Sequence, residues 1–324
     1  MRSESVLSSQ MKSLLGLIIQ VNKFSSDQFL LKMFQEINFD SFRDIQDLID
    51  FINSTVLLKV KLTDEHFSFA YKELEIHNNV GVTLVPYGTN LYPNCLMNTN
   101  NPPAILYTKG NVNILNEMPG VAIVGARDVS PAGEEIARRI TTEICNAGYV
   151  IISGLAIGVD AAAHKAALHA KGKTIAVLAH GLENAKPKQN ARLGAEILER
   201  NGAWVSEYPI GRPALKQSFV QRNRIQVGLS AASILVEASL KSGTMTQAEF
   251  ALKASRPVFA VVPHKPNNPL NLNSEGTTYL VKEGLALPLR TKSDYENLIT
   301  VINKSANNIR SIYPSDNHGS VLPF

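Results

Sequence analysis

Apolar positions along this chain change their spacing twice. Up to about residue 80 they recur at helical intervals, as in Met11-Leu14-Leu15-Ile18-Ile19 and Phe29-Leu30-Met33-Phe34, with few glycines between. Such stripes turn one face of a helix towards a core, so 1–80 is predicted to be a small helical region. From about residue 87 the apolar residues bunch into short continuous runs at 121–124, 149–152, 174–178, 203–205, 234–236 and 258–262. Helical spacing returns between them, over 132–147, 160–171, 188–201, 218–230 and 244–254. Continuous short runs suit strands covered on both faces, and their alternation with helices predicts an α/β fold with a doubly wound parallel sheet. From 291 to 324 the chain turns polar, as in Asn303-Lys-Ser-Ala-Asn-Asn308 and Pro314-Ser-Asp-Asn-His-Gly319, which predicts a short frayed tail with one brief helix near 293–304.

Composition narrows the class without naming a chemistry. With 324 residues, 44% hydrophobic and 19% charged, the chain has the make-up of a globular protein. No apolar run approaches the ~18 residues of a membrane span, and the run at 14–21 is too short for a secretory signal. Cys95 and Cys145 are the only cysteines, too few for a disulfide framework or a four-cysteine zinc site, so a reducing cytoplasm is expected. No metal or cofactor motif stands out. The net charge of +4 permits an anionic partner without demanding one.

In an open α/β sheet the ligand sits outside the carboxyl ends of the strands, so the loops there carry the candidate chemistry. The first is Gly125-Ala126-Arg127-Asp128-Val129-Ser130-Pro131, with Ser130 and Pro131 suited to open a helix. Gly125 would let the backbone approach a phosphate and Arg127 would add charge, or the two are a tight turn and a solvated side chain. The second is Ser153-Gly154-Leu155-Ala156-Ile157-Gly158-Val159-Asp160, whose Gly154 and Gly158 make another phosphate-competent turn. Asp160 there reads as an N-cap, and His164 one turn on reads as a packed histidine or a polar group facing the same end. Over 208–226 lie Arg212, Lys216, Arg222 and Arg224 with no acidic residue. Phe219 sits among them, and cations with an interleaved aromatic are what a single-stranded nucleic acid needs, although Phe219 could also plug a core. The last loop, Ser242-Gly243-Thr244 after Glu237, is a hydroxyl-rich helix entry. Glu237 could act on a sugar hydroxyl or hold loop amides. No nucleoside-triphosphate loop, catalytic triad, paired carboxylates or Cys-x-x-Cys is present, so binding is expected rather than catalysis, with no catalytic residue.

Taken in order, these segments resemble the DNA-processing protein A (DprA/Smf) family. The match includes Tyr92-Pro93 with Pro103-Ala-Ile-Leu-Tyr107, Val121-Ala-Ile-Val-Gly-Ala-Arg127, Ser153-Gly-Leu-Ala-Ile-Gly-Val-Asp160 and Ser206-Glu-Tyr-Pro209. It continues through Phe219-x-x-Arg222-Asn-Arg-Ile225, Val236-Glu-Ala238 with Ser242-Gly243, Arg256-Pro-Val-Phe-Ala260 and Asn273-Ser-Glu-Gly276, covering about 85–290. The resemblance implies an extended Rossmann-like domain that binds and protects single-stranded DNA, forms a homodimer, and helps load the RecA recombinase in DNA uptake and recombination. It implies DNA contacts from Arg127, Lys216, Phe219, Arg222 and Arg224, with the loops at Gly125, Ser153, Gly154, Gly158, Ser242, Gly243 and Thr244 lining the same pocket. Three segments depart from the family pattern. Ile157 stands where a basic residue is usual, Ala185-Lys186-Pro187 replaces a tyrosine-proline, and Val262-Pro263-His264 replaces a proline-glycine. The chain ends soon after the match, so the C-terminal winged-helix domain of many members is expected to be missing.

Two other readings are kept. The superfamily is also similar to Lonely-Guy-type phosphoribohydrolases, whose signature is P-G-G-x-G-T-x-x-E. Here Gly243-Thr244 echoes its G-T, but Glu249 falls five residues after the threonine rather than three. The other is a sensor that binds a free nucleotide and signals to a partner.

Overall fold

The structure is a computed structural model that describes residues 5–55, 58, 60–117 and 119–312. Four helices come first: α1 Val6–Asn22, α2 Asp27–Glu36, α3 Ile45–Thr55 and α4 Asp64–Asn79. Then β1 Val82–Pro86, a short α5 Asn94–Met97 and β2 Ile105–Gly110 lead into the alternating part. That part runs β3 Gly120–Gly125, α6 Pro131–Asn146, β4 Ile151–Ser153, α7 Val159–His169, β5 Thr174–Val177, α8 Ala191–Glu199 and β6 Ala203–Ser206. It continues as α9 Lys216–Gly228, β7 Ser230–Val236, α10 Gly243–Lys253, β8 Val258–Val261, α11 Glu275–Lys282, β9 Leu287–Leu289 and α12 Tyr295–Ile312.

Among the described residues the strands form one sheet of nine, in the order β1-β2-β6-β5-β4-β3-β7-β8-β9. From β6 to β9 all pairings are parallel, as the continuous apolar runs predict. Beyond β6 the sheet is extended by β2 and β1, both antiparallel. The two strands lie outside the alternating pattern and are not predicted. The chain moves outward from β3 to β6, then returns through α9 to place β7 on the other side of β3. That reversal opens a crevice between the carboxyl ends of β3 and β7, the place where doubly wound sheets bind their ligands.

The N-terminal helices are built into this sheet. Met11, Leu14, Leu15, Ile18 and Ile19 of α1 belong to the same apolar cluster as Ile105, Tyr107, Ala176, Leu178 and Trp204 of the sheet. Gly16 lets α1 lie against β2: a Cβ there would sit 1.9 Å from the Ile105 Cδ1. Tyr107 Oη donates to Gln20 Oε1 at 2.6 Å across the same contact.

The predicted frayed tail differs from what is found. Residues 295–312 form an 18-residue helix whose Leu298, Ile302, Ala306 and Ile309 are buried in the main core. Ser305 Oγ donates to the Ala231 carbonyl of β7 at 2.7 Å, so the helix docks on the sheet. An apolar stripe every three or four residues drives this, and the polar residues face outwards. The stretch 313–324, with Pro314 to Gly319, lies outside the described residues. Among the described residues no helix is long and apolar enough to cross a membrane, and no cluster of three or more His, Cys, Asp or Glu could hold a metal.

Candidate nucleic-acid interface

The floor of the crevice is set by two loops that turn sharply out of β3 and β7. Ser130 caps α6 by accepting from the Gly133 N–H, with Pro131 in the first turn, as the sequence predicts. Glu237 then ties three loops together. Its carboxylate accepts from the Ser130 N–H at 2.9 Å, from Ser130 Oγ at 2.5 Å and from the Asn273 N–H at 3.2 Å. It is fully buried, so of its two readings the structure supports the one that holds loop amides.

The loop after β4 is shaped by Gly158, whose φ of +80° suits glycine and brings the chain against the Ala126 carbonyl. Asp160 is not the N-cap predicted for it: it lies inside the first turn of α7 and accepts from the N–H groups of Gly154 at 3.1 Å and Ala156 at 3.4 Å. It therefore closes the loop on itself. Burial raises its pKa, while the nearby Arg222 guanidinium opposes that rise. Gly154 makes room for that guanidinium, because a Cβ would fall 1.3 Å from Arg222 Nη1.

Arg222, on α9, is only 7% exposed and reaches under the strand ends. Its Nη1 donates to the Val177 carbonyl at 3.1 Å and lies 4.0 Å from Asp160 Oδ2. With its amide turned to face the loop, Gln226 accepts from both Gly154 N–H and Arg222 Nη1 at 3.2 Å and donates to Asn223 Oδ1. One helical face of α9 thus brings Phe219, Arg222, Asn223 and Gln226 to the crevice. Phe219 is 38% exposed, so it does not plug a core. The Arg127 guanidinium stands 5.5 Å from its ring centroid, a cation–π arrangement in which Arg127 has no acidic partner among the described residues. Ser242, Gly243 and Thr244 complete the rim, so the positive end of α10 faces the same space. The Ser242 hydroxyl is buried there without a partner among the described residues, and a Cβ on Gly243 would meet nothing of them within 4 Å. The crevice has a volume of about 380 Å³ and its wall also includes Asp128 and Asp160.

Three predicted site residues are placed elsewhere. Arg224 points to the opposite side of α9, where it forms a buried ion pair with Glu207 through two hydrogen bonds, Nη1–Oε1 at 3.0 Å and Nη2–Oε2 at 2.5 Å. Its Nε donates to the Asn101 carbonyl, so it is a fastener of the loop before α9 rather than a phosphate contact. Ser153 is fully buried and its hydroxyl donates to the Ile123 carbonyl, which leaves it no surface to offer a ligand. Lys216 is exposed at the start of α9, one turn before Phe219, and lines no part of the crevice. His164 is a packed histidine: its Nδ1 bonds Thr174 Oγ1 at 2.8 Å, and burial pushes its pKa down to about 3. The amides of Asn223, Gln226, Gln247 and Asn273 line the crevice without having been singled out. Helical spacing from Phe219 and Arg222 would have found Gln226, whereas Asn273 arrives from a loop with no local signal.

Comparison with known proteins places this architecture. A family model described as DNA recombination-mediator protein A matches residues 83–300. Protein Smf of Escherichia coli is 39% identical over 244 residues, covering 74% of this chain and 63% of its own length, so the chain spans a little under two thirds of that relative. DNA processing protein DprA of Streptococcus pneumoniae is 35% identical over 75% of this chain and 82% of its own. The X-ray structure of the S. pneumoniae protein superposes with a TM-score of 0.63 at 29% identity, covering 90% of this chain and 93% of that one. A structure of DNA processing protein A from Helicobacter pylori, described for its single-stranded DNA binding mode, gives 0.59 at 30% identity, covering 69% and 97%. The switch-point crevice and its loops lie within the matched residues, and the chain belongs to the DNA recombination-mediator protein A (DprA/Smf) family.

Proposed function

We propose that this protein binds single-stranded DNA across the crevice between β3 and β7, protects it, and as a homodimer helps load the RecA recombinase onto it. The observation that carries the reading is the exposed Arg127–Phe219 pair at the rim: a cation with no acidic partner among the described residues and an aromatic face side by side. The open N-terminus of α10 supplies backbone N–H donors opposite them. The relatives support the same reading, since the H. pylori protein is described by its single-stranded DNA binding mode. Phosphates would be met by Arg127, Lys216 and the start of α10, with Arg222 as a buried positive charge beneath. A hydrolase reading has less support, because Glu249 is exposed on α10 and lines no part of the crevice.

The test is fluorescence anisotropy with a labelled single strand, a matching duplex and AMP as competitors, across a salt series. Two to three neutralised phosphates predict a log–log salt slope of roughly −1.4 to −2. Arg127→Ala should flatten that slope by about 0.7. Phe219→Ala should weaken binding by about 1–3 kcal/mol and leave the slope alone, because it removes stacking and no charge. Binding of AMP with no preference for the strand would overturn the reading. RecA filament growth on a coated strand, with and without the protein, tests the loading step separately.

A further inference from the structure

Past the ends of β8 and β9 lies a groove of about 460 Å³ that shares no residue with the crevice. Its floor is aliphatic, made of Ile140, Val261, Leu272 and Leu289, and Leu270 on its wall is 44% exposed. Cations reach it from two elements: Arg138 and Arg139 from α6, and Arg290 and Lys292 from the exit of β9. The two α6 arginines share a single carboxylate, Glu135, through Arg138 Nε and Nη2 and Arg139 Nε, each at 2.6 Å. That leaves guanidinium N–H groups and positive charge over. Arg290 and Lys292 are exposed, and their side chains form no ion pair among the described residues. Glu143 is the one acidic residue lining the groove among the described residues. Asp294 accepts from the Arg290 N–H at 2.7 Å and the Thr291 N–H at 2.9 Å, so the backbone donors at this edge are already taken. One of the chain's three departures from the family pattern, Val262-Pro263-His264, falls on this groove through Val262 and His264.

We propose that this groove docks an acidic, apolar segment of a partner protein, which lays aliphatic or aromatic side chains on the floor and turns carboxylates to Arg138, Arg139, Arg290 and Lys292. Charge complementarity selects this occupant. Guanidinium forks match carboxylates, and an aliphatic trough between cations from two elements suits an apolar face flanked by acidic residues. A nucleic-acid strand fits less well. Phosphates favour glycine turns and free backbone N–H groups, whereas no glycine lines this groove and Asp294 holds the nearby amides. Bases need aromatic platforms, and Tyr295, half-buried, is the only aromatic residue lining the groove among the described residues. The assignment stands apart from the strand reading and holds whether or not the crevice binds DNA.

The experiment is fluorescence anisotropy of the full chain with three labelled short peptides. One is acidic with leucine and phenylalanine at helical spacing, one has glutamine in place of its acidic residues, and one has serine in place of its apolar residues. The native chain should bind the first and lose several-fold affinity for each of the others. Arg290→Ala combined with Lys292→Ala removes two surface charge pairs and should weaken the acidic peptide by roughly two- to 30-fold. Both positions are exposed and outside the crevice, so the affinity for a labelled thymidine strand should not change. Leu270→Ser, also exposed, should weaken the peptide in the same direction and serves if the double variant does not fold. A native chain that binds all three peptides alike, or none of them, overturns the proposal, as does full peptide affinity in both variants. A fall in strand affinity in the double variant would make the groove a DNA contact. A smaller sedimentation coefficient for that variant alone would make it a contact between copies of this chain. Either result also overturns the partner-segment assignment.

Discussion

Arg222 and Arg224, two positions apart on α9, have opposite tasks, and helical geometry decides which is which. Residues 219, 222 and 226 share one face, and residue 224 projects from the other, where Glu207 meets it. That phase was legible in the sequence, but a count of charges over 208–226 masks it by treating every cation alike. Breaking the Arg224–Glu207 pair strands a buried carboxylate, so Arg224→Ala should cost about 3–5 kcal/mol in urea unfolding. A loss of DNA affinity in a fully folded Arg224→Ala protein, with no loss of stability, would return it to the interface. His164 gives a pH signature. Held neutral with a folded pKa pushed down to about 3, against an ordinary 6.5, it binds no proton over a range in which the unfolded chain does. Stability is therefore level above about pH 6.5 and falls as the pH drops towards 3, by up to about 1.4 kcal/mol per unit from this group. In His164→Asn the amide can still donate to Thr174, and the acid-side slope of stability should lessen by about one proton. An unchanged slope would mean that His164 takes up its proton in the fold.

Individual elements were legible wherever one local pattern determined them. The strands from β3 to β8 are continuous apolar runs ended by glycine or a polar turn, and their helices follow from cap residues such as Ser130 and Ser242. β1 and β2 were missed because their pairing partners are far away in the chain, with Val82 opposite Lys109 and Thr108 opposite Val205. Nothing in their own residues announces that they extend a parallel sheet in the antiparallel sense. α12 differs for another reason: its four asparagines give the stretch a polar look, yet Leu298, Ile302 and Ile309 form a stripe with helical spacing. Because Ile302 is fully buried against the main core, Ile302→Ala should destabilise the protein by about 2–5 kcal/mol. A substitution in a frayed tail would cost within ±0.5 kcal/mol, so a single chemical-denaturation comparison separates the two pictures.

At the scale of the molecule, the sheet has the crevice at its carboxyl edge and the N-terminal helices packed against β1 and β2. The apolar cluster shared by α1 and the sheet runs from Met11 to Trp204. Separate modules are joined through smaller and more polar contacts than that. The two parts should therefore unfold together, and the chain offers a clean way to see it. Trp204, the single tryptophan, is buried in the sheet half of this cluster, while α1 to α4 contribute heavily to the helical signal. Trp204 fluorescence and far-ultraviolet circular dichroism should give coincident urea transitions. Gly16→Val drives a branched side chain into Ile105 at the junction, and should move both midpoints down together, by an amount typical of overpacking, about 1–3 kcal/mol. If helical signal is lost first and Trp204 is exposed only later, the N-terminal helices are a separable unit. In the coincident case, the loop before α9 inherits its stability from both halves. His77 of α4 accepts from the Ile210 N–H at 3.1 Å in that loop, so the N-terminal helices reach to within a few residues of Lys216 and Phe219. Gly16→Val, which touches nothing in the crevice, should then weaken single-strand binding only under conditions where it also populates the unfolded chain.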